Sequence, residues 1–233
     1  LRKLFFIFIT IAIVSGVIFN QQAKPDPSKQ KSSIKVTYPK AGVTLNASTS
    51  CLIRWDIQGI QDIKAQIILL KAFGGKPVVI DEAASNNGKY FWIVPHDIQE
   101  GSYRIQVKAG TLESKGGIFA VKIPHFTLYD PGANDYATIG AATFIRWKHI
   151  NAEGVIAQLF LEILNVKERK ILAKKISADQ GFFLWFVGND INGNDMWDLT
   201  AFPDHPIKCR IGICLAGHFG VYQSYTKDFY VRK

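Results

Sequence analysis

The sequence predicts an all-β protein, two antiparallel β-sandwiches in tandem behind an N-terminal secretory segment, and three observations carry that prediction. The phrase "CLIRWDI" at 51–57 returns as "TFIRWKHI" at 143–150, which puts Trp147 92 positions after Trp55. Short runs rich in β-branched and aromatic residues are separated by Gly, Pro, Asn and Asp turns, with no ten-residue helical stripe after the first twenty residues. A chain of 233 residues, 48% hydrophobic and 20% charged, can bury one large core or two of about a hundred residues each.

The N-terminal segment comes first. Arg2 and Lys3 precede an uncharged run from Leu4 to Phe19, and polar "NQQAKPDPSKQKSS" follows, which is the order of a secretory signal. The run is short of the roughly 20 residues that span a bilayer. The alternative is an uncleaved N-terminal anchor that leaves the body outside. Residues 1–23 are therefore read as signal peptide or anchor and 24–33 as a linker. On either reading the body is exported, extracellular or periplasmic, and associated with the cell envelope. The three cysteines do not make a disulfide scaffold, because one is left over. Cys209 and Cys214 fall on opposite faces of a strand, and Cys51 and Cys209 are read as small buried hydrophobes.

The repeat then orders the body. "IKVTYPKAG" (34–42) matches "FTLYDPGAN" (126–134), and "AQIILL" (65–70) matches "AQLFLEI" (157–163). "GKYFWIVP" (88–95) matches "GFFLWFVG" (181–188), "YRIQV" (103–107) matches "CRIGI" (209–213), and "SKGGIFAVK" (114–122) matches "SYTKDFYVR" (224–232). Five matched segments in a fixed order are an internal duplication. It yields one sandwich over 34–123 and a second over 126–233, joined by the short "IPHF" link. Alternation turns Cys51, Ile53 and Trp55 inward, with Thr143, Ile145 and Trp147 as their counterparts. Tyr90, Trp92 and Val94 form a second inward row, matched by Phe183, Trp185 and Val187. Trp55, Trp92, Trp147 and Trp185 are thus expected as core anchors, two per sandwich, facing each other across the sheets. Arg54, Arg146, Arg104 and Arg210 repeat on outer faces, where an arginine lies along its neighbours with its head in water.

The main difference between the copies is an insertion at 189–206, where the second copy has "NDINGNDMWDLTAFPDHPIK" against "HDIQEGS" in the first. Long loops on a rigid sandwich are where binding is grafted. This one carries Trp197, Phe202 and His205 beside Asp190, Asn192 and Asp195, a mixture of ring faces and oxygen groups suited to a sugar; the alternative is that the aromatics tuck the loop onto its own sandwich. Its oxygen spacing brushes against a calcium loop but lacks the required glycine and terminal acid, so no metal is expected. A second candidate surface is the hairpin "NVKERKILAKK", where Lys167, Arg169, Lys170, Lys174 and Lys175 could meet an anionic envelope polymer. The net charge is +9, and without Arg2 and Lys3 the balance is still 26 basic to 19 acidic side chains. No basic tract interleaved with aromatics points to nucleic acid. No G-x-S-x-G, H-E-x-x-H, phosphate-binding glycine loop or C-x-x-C occurs, so no catalytic residue, metal or cofactor is assigned and the chain is not read as an enzyme.

The motifs "VTYPKAG", "IRW", "GKYFWIVP" and "GSYRIQV" with a closing S-x-x-F-x-V resemble the Ser-Thr-rich GPI-anchored membrane family (Kre9/Knh1-like) domain, over residues 34–122 and more loosely over 126–232. The resemblance implies tandem immunoglobulin/fibronectin-III-like sandwiches on an exported cell-wall or envelope protein of bacterial type, with no catalytic residues to carry over. The function expected is non-catalytic binding of envelope polysaccharide or a surface protein. The alternative is a purely structural spacer or assembly subunit of a cell-surface complex.

Overall fold

In the computed structural model, which describes residues 31–60, 63–197 and 202–233, the first repeat builds nine strands. They are β1 (Ser33–Tyr38), β2 (Thr44–Asn46), β3 (Ser50–Gln58), β4 (Ala65–Lys71), β5 (Val78–Ala84), β6 (Lys89–Ile93), β7 (Gly101–Ala109), β8 (Leu112–Lys115) and β9 (Phe119–Lys122). The second repeat builds nine in the same order: β10 (His125–Asp130), β11 (Tyr136–Thr138), β12 (Ala142–Ile150), β13 (Ile156–Ile163), β14 (Glu168–Ser177), β15 (Phe182–Phe186), β16 (Ile207–Leu215), β17 (Ser224–Tyr225) and β18 (Phe229–Arg232). A single turn of 3₁₀ helix, Ala178–Gln180, precedes β15. The segment read as signal or anchor, and the linker up to residue 30, lie outside the described residues. Among the described residues no helix is long and apolar enough to cross a membrane.

Each repeat folds into two facing sheets. β1-β3-β6 forms a three-stranded sheet, and β2-β9-β7-β4-β5, with β8 on β7, forms the other. The second repeat reproduces this strand for strand, as β10-β12-β15 against β11-β18-β16-β13-β14 with β17 on β16. The copies agree even in irregularities. A register shift falls between Val36 and Tyr38 and again between Leu128 and Asp130, and cis peptide bonds join Tyr38 to Pro39 and Asp130 to Pro131. β5 bulges at Ile80 where β14 bulges at Leu172, again 92 positions on.

The inward rows fill two cores. Cys51, Ile53, Trp55, Trp92 and Val94 are buried in the first, and Ile145, Trp147, Trp185 and Val187 in the second. Thr143 is only half-buried. The expectation that paired tryptophans face each other across the sheets is corrected: β3 and β6 are neighbours in one sheet, with Trp92 opposite Cys51, and Trp185 likewise lies opposite Thr143. Alternation sets only which way a side chain points. Both tryptophans of a copy therefore enter the core from the same side, against apolar side chains of the larger sheet. Three of the four indole N–H groups have a partner: Trp55 Nε1 donates to Asn86 Oδ1 at 2.8 Å, Trp147 Nε1 to the Ala178 carbonyl at 2.7 Å, and Trp185 Nε1 to the Asn189 carbonyl at 2.9 Å. Gly88 sits at φ +82° against the Trp55 carbonyl, which a Cβ would approach to 2.8 Å. Only glycine takes that turn at that closeness, and Gly181 repeats the left-handed φ beside Trp147.

Ile123 and Pro124 alone separate β9 from β10, and the two sandwiches belong to one compact unit, Ser32–Lys233. Their ends meet. Asn46 Nδ2 donates to the Glu153 carbonyl and carboxylate at 3.2 and 3.1 Å, and Asn151 Nδ2 to the Ile123 carbonyl at 3.3 Å. Tyr222 packs against both cores and its hydroxyl donates to the His96 carbonyl at 2.5 Å. The His96 and His218 rings lie with centroids 4.7 Å apart.

Candidate functional site

The insertion divides into two parts with different chemistry. Residues 189–196 close into a tight turn held by its own polar groups. Asp190 Oδ1 accepts from the Asn192 and Asn194 backbone N–H groups at 2.8 and 2.9 Å, and Oδ2 from Asn194 Nδ2 at 2.9 Å. Those bonds, led by the Asn194 side chain, hold the Asp190 carboxyl below its ordinary range. Asp195 Oδ1 accepts from Asn189 Nδ2 at 3.3 Å, and Asn189 Nδ2 also donates to the Gly193 carbonyl. Both oxygens of Asp190 and one of Asp195 are thus engaged in the turn, while Asn192 is exposed at its tip. The turn is pinned to the sandwich by the Ile191 N–H donating to the Leu172 carbonyl at 2.8 Å.

The aromatic part packs on the protein. Phe202 is 5% exposed within the second core, and Trp197 stands half-buried against it with ring centroids 5.4 Å apart, edge to face. Phe202 as a ring offered to a ligand is therefore corrected: it is a core side chain, because an apolar ring on a loop this long gains more from burial than from exposure. Residues 198–201, the middle of the insertion, lie outside the described residues. A groove of about 370 Å³ runs beside the loop, lined by Val166, Glu168, Trp197, Phe202, Pro203 and His205, with His205 exposed at its rim. The candidate residues thus fall into two groups, with Trp197, Phe202 and His205 at the groove and Asp190, Asn192 and Asp195 in the turn.

Part of the basic hairpin is engaged. Arg169 Nε lies 3.2 Å from Glu162 Oε1, with the guanidinium over the Phe160 and Phe219 rings at 5.2 and 5.3 Å. Lys170 pairs with Glu168 at 2.9 Å. Lys167, Lys174 and Lys175 are exposed and make no ion pair among the described residues. The three cysteines are free and buried. Burial pushes the Cys51 thiol up to about 11 and the Cys209 thiol up to about 12. Among the described residues no three His, Cys, Asp or Glu side chains gather to hold a metal ion.

A further surface is one that the reading of inward rows passed over. On the outer face of the β10-β12-β15 sheet, Phe144, Phe182, Leu184 and Phe186 are all exposed, Phe186 by 57%. Phe144 stands opposite Leu184 and Arg146 opposite Phe182. The Arg146 guanidinium lies 4.4 Å from the Phe144 centroid and bonds Asp130 at 2.5 Å. The first copy carries a smaller version, Leu52 with exposed Phe91 and Ile93. The signal was "FFLWF": a strand apolar at every position reads as covered on both faces, not one.

Strand order, the parallel β2–β9 and β11–β18 pairings by which the chain crosses from each first strand to the second sheet, and the shared two-sheet core define tandem immunoglobulin/fibronectin-III-like sandwiches. No protein-family model matches the chain, and no curated protein does. Solved structures with a similar trace include the fibronectin(III)-like modules of Clostridium thermocellum CbhA, 10% identical, covering 85% of this chain and 94% of that one at a TM-score of 0.30. The FN1-FN3 domains of chicken CNTN1 are 11% identical, with 87% and 68% covered and a TM-score of 0.36. Sidekick-1 immunoglobulin domains 1-5 are 7% identical, with 88% of this chain but 38% of that chain covered and a TM-score of 0.30. The fold class stands on the strand order itself.

Proposed function

We propose that this chain is a non-catalytic, exported binding module of the cell envelope, its two repeats each a domain, docking onto another surface protein through the outer faces of its three-stranded sheets. The observation that supports this reading is the exposed row Phe144, Phe182, Leu184 and Phe186. Contiguous apolar surface of this kind marks an interaction site on a soluble protein. The row suits a protein better than a sugar, because Arg146, which lies over the Phe144 ring, is already paired with Asp130. The resemblance to the Ser-Thr-rich GPI-anchored membrane family adds the cell-wall setting to this reading.

Polysaccharide binding at the insertion is the second reading, supported by the groove beside Trp197 and His205 and by the Trp197 indole N–H, which is buried without a partner among the described residues. Exposed Lys167, Lys174 and Lys175 would add affinity for an anionic polymer. Co-sedimentation of the protein with the host's isolated envelope separates the two. Binding that disappears on protease treatment of the envelope and with Leu184→Lys, while melting is unchanged, supports the protein-docking reading. Binding retained on purified envelope polysaccharide and lost with Trp197→Ala supports the second. Absence of binding in every case refutes both and leaves the structural spacer.

A further inference from the structure

The two copies differ on one flank, where the edge strands of the two sheets run side by side, β5 beside β6 and β14 beside β15. In the second copy the insertion closes this flank. The Asn189 N–H donates to the Phe186 carbonyl at 3.0 Å at the end of β15, and two residues on the Ile191 N–H reaches the Leu172 carbonyl of β14 at 2.8 Å. In the first copy the crossing from β6 to β7 is short and runs elsewhere. Ile80 stands at the position of Leu172, yet among the described residues no loop residue donates to its carbonyl. A cleft of about 450 Å³ remains along this flank, lined by Leu69, Val79, Ile80, Trp92 and the strand edge at Phe91 and Ile93, whose side chains turn to the outer face. Leu172 is fully buried, whereas Ile80 is half-exposed.

The backbone along the cleft is also unused. The bond from the Trp55 N–H to the Gly88 carbonyl sets the parity of the β3–β6 pair, so that Tyr90 and Trp92 turn their backbone groups towards β3. Phe91 and Ile93 then turn their N–H and C=O groups to the open side, and no loop residue among those described bonds them. An open strand edge beside apolar side chains is the arrangement to which an extended segment adds.

We propose that this flank of the first sandwich is a docking cleft for an extended apolar segment of a partner protein, which lies between β5 and β6 and donates a backbone N–H to the Ile80 carbonyl. The second copy supplies the precedent, since there a loop residue already makes that bond at the equivalent bulge. The occupant is a single extended segment because two edges from different sheets bound the cleft. A second sandwich pairing edge to edge would engage one of them and leave the apolar lining open. The inference rests on the reading of the chain as a protein-binding module and names the form in which the partner presents itself.

The test places the photoreactive amino acid p-benzoylphenylalanine at position 79, 91 or 184 of the full-length protein in its own host. After irradiation the attached peptide is sequenced. Capture of the same short segment of one other protein from both 79 and 91, with the yield at 91 reduced about tenfold or more by Val79→Lys at unchanged melting temperature, is the expected result, since a lysine ammonium forced into an apolar cleft loses its water. Capture of a second copy of this chain, of a glycan, or of nothing at 79 and 91 overturns the cleft. Should position 184 alone capture a protein, the cleft is wrong and the docking module stands; if none of the three does, both readings fail.

Discussion

Trp55 shows how one residue fixes a sandwich: its ring fills the core at 2% exposure while its indole N–H ties down Asn86, itself 4% exposed, whose Nδ2 donates to the Ile60 carbonyl at 2.8 Å. Trp55→Ala, and Trp147→Ala in the other copy, should each cost about 3–5 kcal/mol in a denaturant titration, because a large cavity opens and a buried polar partner is left unpaired. A variant with wild-type unfolding would contradict the anchor role. Gly212 tests the opposite fault. A Cβ there would stand 2.2 Å from Phe160 Cζ, so Gly212→Ala drives the ring off its contacts with Phe219 and Tyr225. Overpacking of this kind costs about 1–3 kcal/mol, read as a lowered urea midpoint. The buried thiols give a pH dependence with a definite sign. Thiols near 11 and 12 in the folded chain against an ordinary 9.0 mean that burial favours the protonated form. Their contribution to stability is whole below about 9 and is lost as pH rises through those folded values. The fall in urea midpoint between pH 8 and pH 11 should therefore be smaller in a Cys51→Ala, Cys209→Ala double variant than in the wild type.

At the scale of elements, the strand that matters most is β15, apolar on both faces yet covered on one. Leu184→Lys and Phe186→Lys should leave the melting temperature within a few degrees, since both side chains are exposed, and should abolish envelope binding if this face is the docking surface. A large loss of stability instead would make the row part of the fold. The inward rows were legible from sequence because period-two alternation is a local property, and Cys51, Ile53, Trp55, Trp92 and Val94 obey it. Which sheet a strand joins is not local, and so the tryptophans expected on opposite sheets share one. The insertion was legible as a difference in length but not in role, since aromatics among Asp and Asn suit a sugar site and a packed loop equally. Phe202 went to the core, and the two oxygens of Asp190 and one of Asp195 went to the turn. A second lengthening went unread: β7 and β8 are joined by Gly110 and Thr111 alone, whereas 216–223 connects β16 to β17.

That longer connection matters at the scale of the whole molecule, because with the Asn151–Glu153 turn it is where the second sandwich reaches the first. Its Tyr222 is held at φ 54°, a left-handed value that costs a bulky residue about 1–3 kcal/mol. The strain persists because the ring packs on both cores and the hydroxyl bonds the His96 carbonyl. With Ile123 and Pro124 the only residues between β9 and β10, a short link limits the reach of each sandwich but does not by itself select an orientation. Tyr222 and the His96–His218 contact add to the Asn46–Glu153 and Asn151–Ile123 bonds in holding one. Tyr222→Gly tests this. It relieves the left-handed strain, which offsets part of the packing the ring gives the second core, and it deletes the ring's contact with the first. Calorimetry should then resolve two transitions where the wild type melts in a more concerted one, and small-angle scattering should report a larger mean dimension. Tyr222→Phe, which keeps the ring but loses the bond to His96, should fall between. If Tyr222→Gly melts in one unchanged transition at unchanged dimensions, the orientation is set by the link and by the Asn46–Glu153 and Asn151–Ile123 bonds alone, and the longer loop has no part in it.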